Sequence, residues 1–216
     1  MQKISNHTLI MQLTHFSLLS TSILLLLLLS LAAVESTISS NPKTLHDFIK
    51  SSCQVTLYSN LCYSTLSSSY NGDLDIGKLT YVAIGISLIE ANWTADYVTA
   101  IKNKISAKDV VVRDCVELTK GAVGLIRDSL DEMKMVLKSS GARRRNERGR
   151  RNIRFEMSNV QTWMSAAITN QDTCMEGFND VQVGKKVDDE VSEKVGYVVK
   201  LISNALSLVN SFAADA

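Results

Sequence analysis

The chain has 216 residues and a formal net charge of +1, enough for one well-buried domain and no excess of either sign to argue for nucleic acid or a membrane surface. Pro42 is its only proline, glycine is modest and aromatics are few. That composition favours helices over a sandwich or barrel, which would need frequent turn residues.

Residues 1–33 stand apart. Lys3 is their only charge, Ile23 and the six leucines Leu24 to Leu29 form an apolar block, and Ala32, Ala33 and Val34 follow. This is the layout of a cleaved secretory signal peptide. The unbroken run is shorter than the roughly 20 apolar residues that a spanning helix needs. A secreted chain meets oxidising conditions, so the cysteines Cys53, Cys62, Cys115 and Cys174 are expected to pair. Four cysteines allow three connectivities, and the count alone does not choose. A zinc site would need all four thiolates from scattered positions, with no CxxC pair and only His46 beyond the leader, so no metal is expected.

Thr44 followed by Asp47 resembles a capping box opening a short helix that closes at Cys53. A second short helix is expected from near Ser59 past Leu66, and Asn71-Gly72-Asp73 marks a turn. Four longer helices follow. The first, about 75–103, carries Leu79, Val82, Ile86, Ile89, Trp93, Tyr97 and Ile101 at three- and four-residue steps. The second, about 107–138 with Ser106 as cap, carries Val111, Cys115, Leu118, Ala122, Leu125, Ser129, Met133 and Val136. The third is expected to start at Ser158, with Gln161 completing a capping box, and its stripe is Val160, Met164, Ala167, Gln171, Cys174 and Phe178. The fourth, about 189–212, runs on Val191, Val195, Val198, Ile202, Ala205, Val209 and Phe212. Helices of this length joined by short loops predict an all-α fold: an up-down-up-down four-helix bundle with an N-terminal helical hairpin, over residues 42–213. Cys115 and Cys174 lie on apolar stripes of neighbouring helices and could meet across the core; Cys53 and Cys62 could close the hairpin.

Residues 138–154, KSSGARRRNERGRRNIR, break the pattern with eight basic residues and one acid, about +7, against about −7 for the rest of the chain beyond the leader. A like-charge run with Gly and Ser reads as a solvated loop inserted between the second and third bundle helices. Its functional readings are a polyanion contact, through Arg143, Arg144, Arg145, Arg148, Arg150 and Arg151, or a protease site at Arg148-Gly149-Arg150-Arg151. Asn92-Trp93-Thr94 is the sequon of the mature chain, so Asn92 is a candidate for glycosylation, although its mid-helix position disfavours it.

Three stretches taken together, CQVTLYSNLC, RDCVELTKGAVGLI and VQTWMSAAITNQDTCMEGF, in this order behind a leader, resemble the plant invertase and pectin methylesterase inhibitor family. The resemblance spans about residues 42–213. It implies a four-helix bundle with a helical hairpin, bridges pairing first with second and third with fourth cysteine, and one-to-one docking onto a wall or vacuolar carbohydrate enzyme. The family's domain also precedes the catalytic domain of many pectin methylesterases; this chain ends at Ala216, so the expectation is a free-standing inhibitor. Two features differ from the family: Tyr58-Ser59 stands where Tyr-Pro is usual, and the basic connection is longer.

On a helical wheel of residues 158–178, Thr162, Ser165, Ala166, Thr169, Thr173 and Glu176 take the side away from the core. Such small side chains lose little rotamer entropy when immobilised and let a partner's backbone come close. With the resemblance, which implies contact through the second and third bundle helices, the expected partner-binding residues are Glu117, Lys120, Thr169, Asp172, Thr173 and Glu176. Gln171 sits on the core stripe and needs a hydrogen-bond partner there. Catalysis is not expected: His46 stands alone, no Gly-rich phosphate loop occurs, and no cofactor is implied. Inhibitors of invertase carry a Pro-Lys-Phe motif, whereas Pro42 and Lys43 here are followed by Thr44. The resemblance therefore points to pectin methylesterase as partner, with invertase the alternative. Acidic pectin is a further candidate partner for the basic segment, and the protein is expected in the apoplast and cell wall.

Overall fold

The computed structural model describes residues 44–104, 110–143, 147–180 and 184–215. The expected signal peptide, Ser106, Arg144 and Arg145 lie outside these. Among the described residues six helices follow one another: α1 Leu45–Cys53, α2 Ser59–Ser69, α3 Ile76–Lys104, α4 Val110–Arg143, α5 Glu147–Asp180 and α6 Lys185–Ala214.

The α1 start is dictated locally. The Thr44 hydroxyl accepts from the Asp47 backbone N–H at 3.1 Å and donates to the Asp47 carboxylate at 2.8 Å. Across the α1–α2 hairpin, His46 Nδ1 meets the Tyr63 hydroxyl at 3.0 Å. Cys53 and Cys62 are bridged, with Cα atoms 5.6 Å apart. Beside its core packing, the hairpin is hydrogen-bonded to α6 through Asn204: the Tyr58 N–H donates to Asn204 Oδ1, and Asn204 Nδ2 donates back to the Tyr58 carbonyl, both at 3.0 Å. Asn204 is buried and Tyr58 half-buried, so both bonds are partly shielded from water.

Helices α3 to α6 pack in a ring, each against both sequence neighbours and α3 against α6. The pairings run antiparallel. On α4–α5, Cys115 is bridged to Cys174 (Cα–Cα 4.5 Å) and Asn159 lies 3.5 Å from Glu132. On α5–α6, Gln161 donates to Asn210 at 2.9 Å, and Gly196 lies opposite Met175. On α3–α6, the Tyr97 hydroxyl donates to Glu190, which with burial holds the phenol up at about 12. At the other end Gly77 admits a close approach: a Cβ there would sit 2.7 Å from Leu137 and 2.8 Å from Phe212. This is the up-down-up-down bundle that the helix lengths predicted. Helix α6 is long and apolar enough to cross a membrane, but half of that apolar window is buried in the bundle.

The core divides in two. The larger cluster fills the bundle from Leu79 to Ala95 on α3, and on α4 to α6 from Ala122 to Val136, Ile153 to Ala167 and Val198 to Phe212. A smaller cluster surrounds the Cys115–Cys174 bridge with Val98, Ile101, Val112, Val116, Phe178, Val191 and Val195. Between the clusters on α4 and α5 stand two buried polar side chains, Thr119 and Gln171.

Two expectations are corrected. The described residues of segment 138–154 are helical rather than loop: 138–143 complete α4 and 147–154 open α5, so Ser158 lies within α5 rather than capping it. Arg, Lys, Glu and Met are good helix formers, and Ile153 and Met157, both fully buried, carry the apolar stripe of α5 back towards its start. The stripe of α3 holds at its ends, where Leu79 and Ile101 are buried, but not in its middle: Ile89 is 55% exposed and Trp93 69%. In that middle stretch the inner side is carried by Ile84 and by small residues, Ala83, Ser87, Ala91, Thr94 and Ala95, all buried.

Candidate inhibitory face

The outer side of α5 carries the hydroxyl-rich stripe. Thr162, Ser165, Thr169, Thr173 and Glu176 are exposed and Ala166 half-buried, whereas Val160, Met164, Ala167, Gln171, Cys174 and Phe178 are all buried. The hydroxyls do not point free. Those of Thr162, Ser165, Thr169 and Thr173 donate to the carbonyls of Ser158, Gln161, Ser165 and Thr169, at 2.8, 2.8, 3.2 and 2.8 Å. Each hydroxyl has spent its proton and turns lone pairs outward.

Where α5 meets α4 at the second disulfide, a shallow groove of about 460 Å³ opens. Its lining is Val111, Asp114, Cys115, Glu117 and Leu118 from α4, and Thr173, Cys174 and Gly177 from α5. Gly177 lets the helices come this close: a Cβ there would stand 3.2 Å from Val111. Of the expected contact residues, the groove brings together Glu117 and Thr173. One turn along, Gly121 lies against Asn170, which sets the α4 turn bearing Lys120 level with the α5 turn bearing Thr169. Asp172, half-buried, and exposed Glu176 adjoin on α5. Partial burial raises the Asp172 carboxyl above its ordinary range, and the Glu176 charge adds to this.

Sequence reasoning missed Asp114 and Gly177, and placed Val111 and Leu118 in the core, although both are only half-buried and wall the groove. The usable signal was Gly177 three residues beyond Cys174, a helix glycine beside a bridging cysteine. A second groove, about 360 Å³, runs between α3 and α6 and is lined by Trp93, Tyr197, Lys194, Lys200, Glu90, Glu193 and Thr94. Asn92, beside Trp93, is half-buried, its amide donating to the Leu88 carbonyl at 2.7 Å, and Thr94 of the sequon is buried. Of the basic candidates, Arg148 and Arg151 are exposed on the first turns of α5 and Arg143 is the last residue of α4. Among the described residues no group of His, Cys, Asp and Glu could hold a metal ion.

In class the fold is a helical bundle with an N-terminal hairpin, stapled by two disulfides. The chain belongs to the plant invertase/pectin methylesterase inhibitor family, whose description matches residues 47–208. It is 34% identical over 205 residues to pectinesterase inhibitor 9 of Arabidopsis thaliana, covering 90% of this chain and 95% of that one. It is 36% identical over 173 residues to pectinesterase inhibitor 10 of the same plant, covering 78% of this chain and 52% of the relative. In fold it is similar to the crystal structure of a mutant form of an Arabidopsis pectin methylesterase inhibitor, with TM-score 0.55 and 19% identity over 73% of this chain and 92% of that one.

Proposed function

We propose that this chain is a secreted inhibitor of pectin methylesterase, itself without catalytic activity, that lays α4 and α5 across the enzyme's substrate cleft. The observation that carries this reading is the groove over the Cys115–Cys174 bridge, where Glu117 and Thr173 meet beside the hydroxyl stripe. The relatives named pectinesterase inhibitors and the missing Pro-Lys-Phe favour the esterase over invertase. Occlusion suffices; a standard interface of about 1,600 Å² covers a cleft, with its energy concentrated in a few central residues. Two disulfides suit the oxidising compartment that the apolar leader implies. The test is an inhibition assay against both enzymes. The parent should inhibit the esterase and spare invertase. Thr173→Arg should stay helical and inhibit more than about thirtyfold less well. Full inhibition by that variant would show that the face is misassigned.

A second reading concerns acidic pectin. Lys138, Arg148, Arg151 and Arg154 are exposed where α4 ends and α5 begins, and clustered cations attract a polyanion over long range. Because this segment is helical, substitution is the clean probe. Replacing Arg148 and Arg151 with Gln should lower the salt needed to elute the protein from de-esterified pectin. Unchanged elution would leave these arginines as a solvated helix surface.

A further inference from the structure

The groove over the second disulfide has a chemistry of its own. Its floor and walls are apolar: the Cys115–Cys174 bridge, Val111, Leu118 and the bare backbone of Gly177. Its α4 rim carries two exposed carboxylates one turn apart, Asp114 and Glu117. Beyond the rim, α5 offers acceptors almost exclusively. The Thr169 and Thr173 hydroxyls have already donated within the helix, and Asp172 and Glu176 lie beside them. The cations of this region are Arg113, whose Nε lies 3.6 Å from Asp114, and Lys120. The Arg113 pair is exposed on both sides, so displacing it costs little. An apolar trough beneath a pair of carboxylates suits a long side chain with a hydrocarbon stem and a cationic head. A neutral polar group would waste the carboxylates, and an anion would be repelled.

We infer that this groove seats a lysine or arginine side chain of the enzyme, its stem over the disulfide and Leu118 and its head between Asp114 and Glu117. The inference rests on the docking face proposed above and adds the chemistry of the residue that must face it. It makes the two carboxylates an anchor, distinct from general charge steering. Steering changes the association rate and its salt dependence; a seated charge pair changes the dissociation rate.

The experiment measures association and dissociation of the esterase with the full mature chain, its Asp114→Asn/Glu117→Gln double variant, and Leu118→Ala. Circular dichroism and thermal unfolding check each fold. The double variant should dissociate at least about tenfold faster, with an association rate changed by less than about threefold. Leu118→Ala should also speed dissociation, because it shortens the trough under the stem. A double variant whose dissociation rate is unchanged, or which alters only association, overturns the anchor. Thr173→Arg separates the two ideas. If it abolishes inhibition while the double variant dissociates normally, the face stands and the seated cation falls. If the parent does not inhibit the esterase, both fall.

Discussion

Gln171 stands on the core stripe of α5 among apolar neighbours. It is fully buried, and neither its Oε1 nor its Nε2 has a hydrogen-bond partner. An unsatisfied buried amide costs about 1–3 kcal/mol. Thr119, buried in the same gap between the two apolar clusters, avoids the penalty by donating to the Cys115 carbonyl at 2.9 Å. Methionine has nearly the volume and flexibility of glutamine and no group to satisfy. Gln171→Met is therefore expected to raise stability by roughly 1 kcal/mol, read as a higher midpoint in thermal or urea unfolding. A lower midpoint would mean that the amide is satisfied in solution. The residue lies on the same helix as the contact face but on its opposite side, so the esterase assay should be indifferent to the change.

At the scale of elements, the hairpin α1–α2 buries Phe48, Ile49 and Leu66 in the larger core cluster but is hydrogen-bonded to the bundle at few points. Its hydrogen bonds to α6 converge on Asn204, and its own bridge ties only Cys53 to Cys62. Asn204→Ala removes both bonds and leaves the Tyr58 N–H and carbonyl to find water. A loss of about 2 kcal/mol is expected, with amide exchange accelerated in α1 and α2 before the bundle helices. Uniform acceleration would show that the hairpin is not a separately opening unit. How far these elements could be read from sequence depended on which residues carried the period. The stripes of α5 and α6 were legible because large apolar side chains occupy the buried positions at three- and four-residue steps, from Val160 to Phe178 and from Val191 to Phe212. On α3 the buried positions mix Leu79, Ile84, Val98 and Ile101 with alanine, serine and threonine, while Ile89 and Trp93 face outward, so a pattern drawn through the largest residues held at its two ends and failed in the middle. In 138–154 the charge run masked Ile153, whose burial continues the stripe. At the site, Thr173 and Glu117 were legible as outward-facing positions. The groove between them was not, because it arises from how closely two helices pack at Gly177, and one helix's periodicity says nothing of its neighbour's distance.

For the whole molecule the two bridges differ in reach. Cys53 and Cys62 are 9 residues apart and Cys115 and Cys174 59 apart. On the loop-entropy account the long bridge contributes about 4 kcal/mol and the short one somewhat under 3. The long bridge also lies inside the smaller core cluster, so its loss loosens the end of the bundle that bears the groove. Replacing Cys115 and Cys174 with Ala should lower the unfolding midpoint more than the same change at Cys53 and Cys62. The reverse order would mean that the hairpin, not the bundle, limits stability.

The continuity of α5 through its basic start sets a direction. Arg151, Thr162 and Thr173 are spaced 11 residues apart, and 11 residues complete about three turns. Their azimuths nearly coincide, and the first and last stand roughly 33 Å apart along the axis at 1.5 Å per residue. One line of longitude on this helix therefore begins with a guanidinium and ends among carboxylates and hydroxyl lone pairs. The protein carries a polarised ruler: a partner aligned with it meets opposite demands at the two ends, and turning that partner around sets like charge against like.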